Sequence, residues 1–254
     1  MINAINHAIT DIKKNKPLIL CLTNTVTMDF MANSLLALGA APIMSCDDSE
    51  LEELILISSA INLNIGTLDN AFIARCTRAS SIAKRYNKPI ILDPVGAGAS
   101  SSRTQSARQL MASADIIRGN ASEVMALVEH PISTAGVESS HSTSAAKASA
   151  NRLATELNCA VIVSGEEDYV TDGRQQQSLT FGSSIMPLVT GMGCTLTAVV
   201  AAFRAVIPDS FNAAYLATAY FGLCGTLTGR KTNSPGSFRS TFIDTLYNTD
   251  LELL

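Results

Sequence analysis

Pro89-Ile90-Ile91-Leu92-Asp93-Pro94-Val95-Gly96-Ala97-Gly98 is the stretch from which the rest of the chain can be read. Its apolar run shows no alternation, as expected of a strand covered on both faces. The run stops at a carboxylate. Pro94 then removes a backbone donor, and the two glycines turn the chain. Further strands are expected at residues 18–22, 60–65, 115–118 and 160–165, with a second short strand or extended segment at 41–45.

Helical patterns separate these runs. Residues 1–15 place Ile2, Ile5, Ile9 and Ile12 on one face. Residues 29–38 form a helix closed by Gly39. Residues 49–58 form another, with Ser49 as its cap, and Asp69 caps a long helix to Tyr86. Further helices are expected over 101–111, from Gly119-Asn120 to Val128, over 144–157, up to Val206, over 212–228, and from after a turn at Pro235-Gly236-Ser237 to Leu246. Residues 168–171 and 175–181 flank Asp172-Gly173 as a hairpin. Residues 129–144, rich in Ser and Thr, read as a surface loop. This alternation predicts an α/β fold, doubly wound, with a mostly parallel sheet sandwiched by helices in three layers. One domain is expected over residues 1–254.

Composition excludes several classes. The 254 residues are 47% hydrophobic and 16% charged, with net charge −4 and no block of like charge, which argues against a nucleic-acid surface. The six cysteines, at 21, 46, 76, 159, 194 and 224, form no Cys-x-x-Cys pair, and no histidine lies near them at zinc spacing. Free thiols in a reducing cytoplasm fit this pattern. No signal-peptide core opens the chain, and no apolar run reaches the ~20 residues of a membrane span.

The ends of parallel strands share one sheet edge, where such folds bind ligands. Thr23-Asn24, Asp93, Arg118 to Glu123 and Ser164-Gly165 are expected there. Thr190-Gly191-Met192-Gly193-Cys194-Thr195 opens onto an apolar helix and is expected to join them. It reads either as an anion cradle at a helix start, with a thiol of lowered pKa, or as a glycine-rich turn with a buried thiol. Asp93 is either a carboxylate near a metal-bound phosphate or a strand-end turn residue. Asn120-x-x-Glu123 is either a capping box or a carboxylate orienting water around Mg²⁺. Arg118 pairs with phosphate or is simply exposed. No dinucleotide fingerprint or P-loop is present.

Taken in order, these motifs resemble the hydroxyethylthiazole kinase family of the ribokinase-like superfamily. The resemblance rests on Thr23-Asn24-Thr25-Val26, Gly39-Ala40-Ala41-Pro42-Ile43-Met44, Asn64-Ile65-Gly66-Thr67-Leu68, Leu92 to Gly98 and Ile117 to Glu123. It continues through Gly165-Glu166, Asp168 to Gly173, Thr190 to Cys194 and Gly236-Ser237-Phe238. It implies transfer of the γ-phosphate of ATP, with Mg²⁺, to the primary hydroxyl of 5-(2-hydroxyethyl)-4-methylthiazole in thiamine biosynthesis or salvage. It further implies that Met44 and Gly191 contact the alcohol, with Asn24 and Val26 lining its pocket. Arg118 and Ser164 are implied to contact ATP, and Asp93 and Glu123 to serve metal and phosphates. Cys194 is placed beside the attacking hydroxyl, and the family pattern implies a homotrimer with sites at subunit interfaces. Ser164 departs from the family's usual threonine but keeps the hydroxyl. Two other readings compete: a kinase for a different small alcohol, and a regulator that keeps the pocket without turnover.

Overall fold

The central strands of this chain are short and mostly apolar because they are covered on two sides. In the computed structural model, which describes residues 1–128 and 143–248, the strands β1 (Leu18–Leu22), β2 (Ala41–Ile43), β3 (Ala60–Asn64), β4 (Ile90–Asp93), β5 (Ile116–Asn120), β6 (Ala160–Ser164), β7 (Asp168–Thr171) and β8 (Gln176–Leu179) form one sheet. Its order is β2-β1-β3-β4-β5-β6-β7-β8. The first six strands are parallel, and the hairpin adds β7 and β8 antiparallel at the far edge. The order reverses direction between β1 and β3. At such a switch point the connecting helices leave to opposite faces and open a crevice at the strands' carboxyl ends.

The helices divide between the faces. One layer holds α1 (Ile2–Asn15), α2 (Met28–Leu38), α8 (Met192–Val206), α9 (Ser210–Lys231) and α10 (Pro235–Tyr247). The other holds α3 (Leu51–Ile57), α4 (Asn70–Arg85), α5 (Ser101–Met111), α6 (Ala121–Val128) and α7 (Thr143–Leu157). Three layers, α/β/α, result. Helix α8 is the central piece of its layer. Thr195 through Phe203 are all buried, and Ala198, Ala201 and Ala202 keep the helix close to the sheet. It packs on β1, β3 and β4 and against α1, α2 and α9.

Several boundaries differ from the sequence reading. Ser49 does not cap α3: its N–H donates to Asp47 Oδ1, and the helix starts at Leu51 without a side-chain cap. Pro235 and Gly236 are the first residues of α10, not a turn, because proline suits a first helical position where the N–H is unpaired anyway. Helix α9 extends two residues earlier than its apolar pattern, because Asp209 accepts from Asn212 N–H at 2.7 Å. Strand β5 runs on to Asn120, where it pairs with Ser164. Asp69 caps α4 as expected, and Gly39 ends α2 at φ 103°. The surface loop expected over 129–144 lies outside the described residues as far as residue 142, and α7 begins at Thr143. No helix of the described residues is long and apolar enough to cross a membrane.

Candidate active site

The polar strand ends meet on one face of the sheet, and period-two alternation explains why. Ile91, Ile116 and Ile162 face the core beneath α8 and α9. Two residues further along each strand stand Asp93, Arg118 and Ser164. Asn62 and Asn64 repeat the pattern on β3, and Asn64 pairs in register with Asp93. The same face that buries apolar residues in mid-sheet therefore carries polar ones at its carboxyl edge.

At the switch point a hydrogen-bond network joins four elements. Asn24 Oδ1 accepts from the N–H and the hydroxyl of Thr27, at 3.1 and 3.0 Å. Asn24 Nδ2 donates to Asn64 Oδ1 at 2.9 Å and to Cys194 Sγ at 3.3 Å. Asn64 Oδ1 also accepts from Gly66 N–H at 3.0 Å, while Asn64 Nδ2 donates to Asp93 Oδ2 at 2.8 Å. Thr197 from α8 donates to the same Asp93 oxygen at 2.9 Å. Arg118 Nη1 lies 3.8 Å from it. Asp93 is fully buried, and its Oδ1 is left without a hydrogen-bond partner. Burial raises the Asp93 carboxyl to about 6 against the pull of Arg118, with the charge of Glu123 adding to the rise.

Both readings of Asn120-x-x-Glu123 meet here. Glu123 N–H donates to Asn120 Oδ1 at 2.9 Å, and Asn120 N–H donates to Glu123 Oε2 at 2.8 Å, so the capping box is formed. Glu123 Oε1 accepts from Gly96 N–H at 2.8 Å. Each oxygen thus holds one backbone donor, which leaves lone pairs for water but ties the carboxylate in place.

The loop before α8 has the geometry of an anion cradle. Gly191 takes φ 94°, a conformation costly for any residue with a Cβ, and a Cβ there would sit 2.9 Å from Thr27 Cγ2. The helix's first internal bond runs from Thr195 N–H to Gly191 C=O at 2.8 Å, so the N–H groups of Gly193 and Cys194 precede the ladder. Arg118 lies directly over this turn: a Cβ on Gly193 would come 2.5 Å from its Nη1. Arg118 Nη2 in turn donates to Ser164 Oγ. A helix N-terminus and a guanidinium side by side attract an anion more strongly than either alone.

The expectation of a lowered thiol pKa at Cys194 is corrected by the structure. Burial raises it, and the negative charge of Asp93 adds to the rise. The hydrogen bond from Asn24 pulls the other way, but burial is the larger effect. Cys21, Cys76 and Cys159, deeper in the core, are pushed up to about 12 for the same reason. All six cysteines are free.

A cleft of about 840 Å³ opens on the Arg118 side of this cluster. Arg118, Ser164, Asp168, Gly193, Phe181 and Met192 are among its walls. Asp168, raised to about 6 mainly by burial, accepts from Gly165 N–H at 3.0 Å and shapes the β6–β7 turn. The Asn24 side is different. Val26 is 69% exposed in the turn before α2, and Met44, just past β2, is half-buried against the α8-side core. Of the residues singled out from sequence, Asn24, Asp93, Arg118, Glu123, Ser164, Gly191 and Cys194 thus gather at one edge, while Val26 and Met44 border it.

Sequence reasoning passed over Asn64, Thr197 and Arg103 as site residues. Arg103 Nη1 donates to the carbonyls of Ile65 and Val95 at 3.1 and 2.9 Å, and Nη2 to Gly66 at 3.0 Å. It clamps together the loops after β3 and β4. Two asparagines at alternate positions in the otherwise apolar run of β3 were the available signal for Asn64. Nothing local marks Arg103 or Thr197.

Comparison with known proteins agrees with this geometry along the whole chain. Residues 9–252 match the model of the hydroxyethylthiazole kinase family. A protein named hydroxyethylthiazole kinase from Chlamydia caviae is 49% identical over 254 residues, covering 99% of this chain and 97% of that one. A solved structure of hydroxyethylthiazole kinase from Pyrococcus horikoshii superposes with a TM-score of 0.91 at 35% identity, covering 99% and 95% of the two chains. A ribokinase-like superfamily protein from Enterococcus faecalis shares the fold, with a TM-score of 0.65 at 14% identity over 92% of this chain and 88% of its own. A likeness that runs from end to end, in sequence as well as in fold, places the chain itself: it belongs to the hydroxyethylthiazole kinase family.

Proposed function

We propose that this chain transfers the γ-phosphoryl group of ATP to the primary hydroxyl of 5-(2-hydroxyethyl)-4-methylthiazole, giving the thiazole phosphate used in thiamine biosynthesis. The observation that carries the reading is the position of the Gly193-Cys194 turn. It stands between a cleft walled by Arg118 and Ser164 and a second, polar face formed by Asn24 and Asn64. Donor and acceptor of a phosphoryl group need such opposed seats across one turn.

In this reading ATP lies in the cleft, with its phosphates on Arg118, Ser164 and the N–H groups of Gly193 and Cys194. The thiazole alcohol is seated by Asn24, Val26, Met44 and Gly191. Its oxygen forms a bond to the γ-phosphorus as the bond to the bridging oxygen breaks and ADP leaves. Phosphoryl transfer asks mainly for alignment and charge neutralisation, and its loose transition state draws little on the nucleophile's proton. The raised Cys194 thiol is therefore suited to act as a neutral hydrogen-bond partner for the hydroxyl, not as a thiolate base. The alcohol's proton leaves late, to solvent.

The residues fit a resident Mg²⁺, a cation that keeps several waters and needs few carboxylates. Asp93 Oδ1 is a buried acceptor with nothing bound to it, and Glu123 is held where it can orient water. When bound, Mg²⁺ supplies charge neutralisation on the phosphates.

The chain reads as one kinase domain, supported by its single eight-stranded sheet. A homotrimer with the thiazole seat at a subunit interface is favoured by Val26, which the single chain leaves 69% exposed beside that seat. Free thiols and the want of any membrane-spanning helix among the described residues suit a cytoplasmic enzyme.

The deciding experiment is coupled ADP formation with purified protein, Mg²⁺, ATP and the thiazole alcohol, beside a hydroxymethylpyrimidine control. Turnover with the pyrimidine alone would transfer the reading to another alcohol kinase, and no turnover with either would favour a regulator. Cys194→Ala is expected to lower kcat by roughly 10-fold or more with a smaller change in KM, as for a group acting at the reacting centre.

A further inference from the structure

We infer that Asn64 is a positioning residue of this site: its carboxamide locks the Asn24 amide onto the Cys194 thiol and the Asp93 carboxylate into one shared register. The inference rests on the proposed kinase reading for its catalytic consequence, but its geometry stands independently.

Asn64 is fully buried at the end of β3, where a buried amide is costly unless its hydrogen bonds are made. They are made in one direction only. Its Nδ2 must donate, because Asp93 Oδ2 is an acceptor. Its Oδ1 must accept, because Gly66 N–H is a donor. That polarity fixes Asn24 in turn: with Asn64 Oδ1 as acceptor, Asn24 presents its NH₂ group, whose second hydrogen points to Cys194 Sγ. The Thr27 N–H and hydroxyl fix the other end of Asn24 with the same sense. The amide flip of both asparagines is thereby determined by backbone donors and a carboxylate.

The consequence reaches the thiol. Cys194 Sγ accepts a hydrogen bond from Asn24, so its own S–H is turned away from Asn24. At the other end, Asn64 and Thr197 share Asp93 Oδ2, which leaves Oδ1 as the carboxylate's free oxygen. One carboxamide thus sets the orientation of groups on both sides of the phosphoryl path. The chemistry requires an asparagine: aspartate would set a carboxylate oxygen against Asp93 Oδ2, and leucine would remove the bond that joins the two neighbours, leaving Asn24 held by Thr27 and Cys194 and Asp93 by Thr197 and Arg118.

The test compares Asn64→Leu and Asn64→Ser with the native enzyme. Steady-state kcat and KM, melting temperature, and the pH profile of iodoacetamide alkylation at the Cys194 peptide are measured for each. Positioning predicts a kcat loss of about 10- to 100-fold. The nucleotide KM changes little, and the Cys194 alkylation profile is displaced in both variants. An unchanged kcat, or a loss that tracks the melting temperature while Cys194 alkylates as in the native enzyme, would overturn the inference. If Asn64→Leu does not fold, Asn64→Ser carries the same comparison. The alkylation profile needs no substrate, so the inference stands or falls even if the thiazole alcohol proves not to be the acceptor.

Discussion

Glu123 of α6 reaches Gly96 of another element: the N–H of Gly96, in the turn after β4, donates to Glu123 Oε1 at 2.8 Å, while Oε2 holds Asn120 N–H. One carboxylate therefore closes its own helix cap and also anchors the turn that follows Asp93. Glu123→Gln turns one of its two acceptor positions into a donor facing a backbone N–H. Leaving one such buried group unsatisfied costs about 1–3 kcal/mol, so the variant is expected to melt lower in the absence of Mg²⁺ and ATP. Thermal melts without ligand check this. An unchanged melting temperature would show that the Gly96 and Asn120 bonds contribute nothing net.

Asp93 should trade stability for function. Its folded-state pKa, about 6, lies above the ordinary carboxylate value of 3.8, so the folded protein binds this proton more readily than the unfolded chain. The charged carboxylate thus costs stability above pH about 6, and the cost fades as pH falls toward 4. Asp93→Asn keeps an acceptor toward Asn64 and Thr197 and removes the charge. It is expected to be more stable than the native protein at pH 8, by about 1–3 kcal/mol, with the gap closing by pH 4. Turnover should be lost at every pH. Denaturant melts of both proteins at the two pH values decide the matter.

Gly193 is required by Arg118, not by the backbone. A Cβ would come 2.5 Å from the Arg118 guanidinium, the mobile end of a long side chain. Gly193→Ala should therefore fold with a nearly native melting temperature while displacing Arg118. The ATP KM is expected to rise about 10-fold, a change of roughly 1.4 kcal/mol. An ATP titration at saturating thiazole alcohol measures it.

Arg103 works through the fixed fork of its guanidinium, which donates to three carbonyls in two loops. An ammonium is a single point and cannot span them. Arg103→Lys should destabilise by roughly 2 kcal/mol and lower kcat, since Gly66 N–H donates to Asn64 Oδ1, the acceptor that Asn24 also uses. A lysine variant with native melting and native kcat would show that charge alone suffices.

Much of this protein is determined by its sequence. Apolar runs marked most of the parallel strands, because a strand covered on both faces has no polar side to alternate. Asp69 and the Asn120/Glu123 pair announced their caps because such bonds are local, spanning three residues. The ordered motifs were sufficient to indicate the family. What lay beyond the sequence is what depends on distant partners. That Asp93 meets Thr197, 104 positions away, and that Cys194 lies under Asn24, 170 positions away, follow from α8 docking across β1, β3 and β4. The direction of the Cys194 shift was likewise undecidable locally. A helix N-terminus lowers a thiol pKa and burial raises it, and only the packing around that first turn determines which is larger.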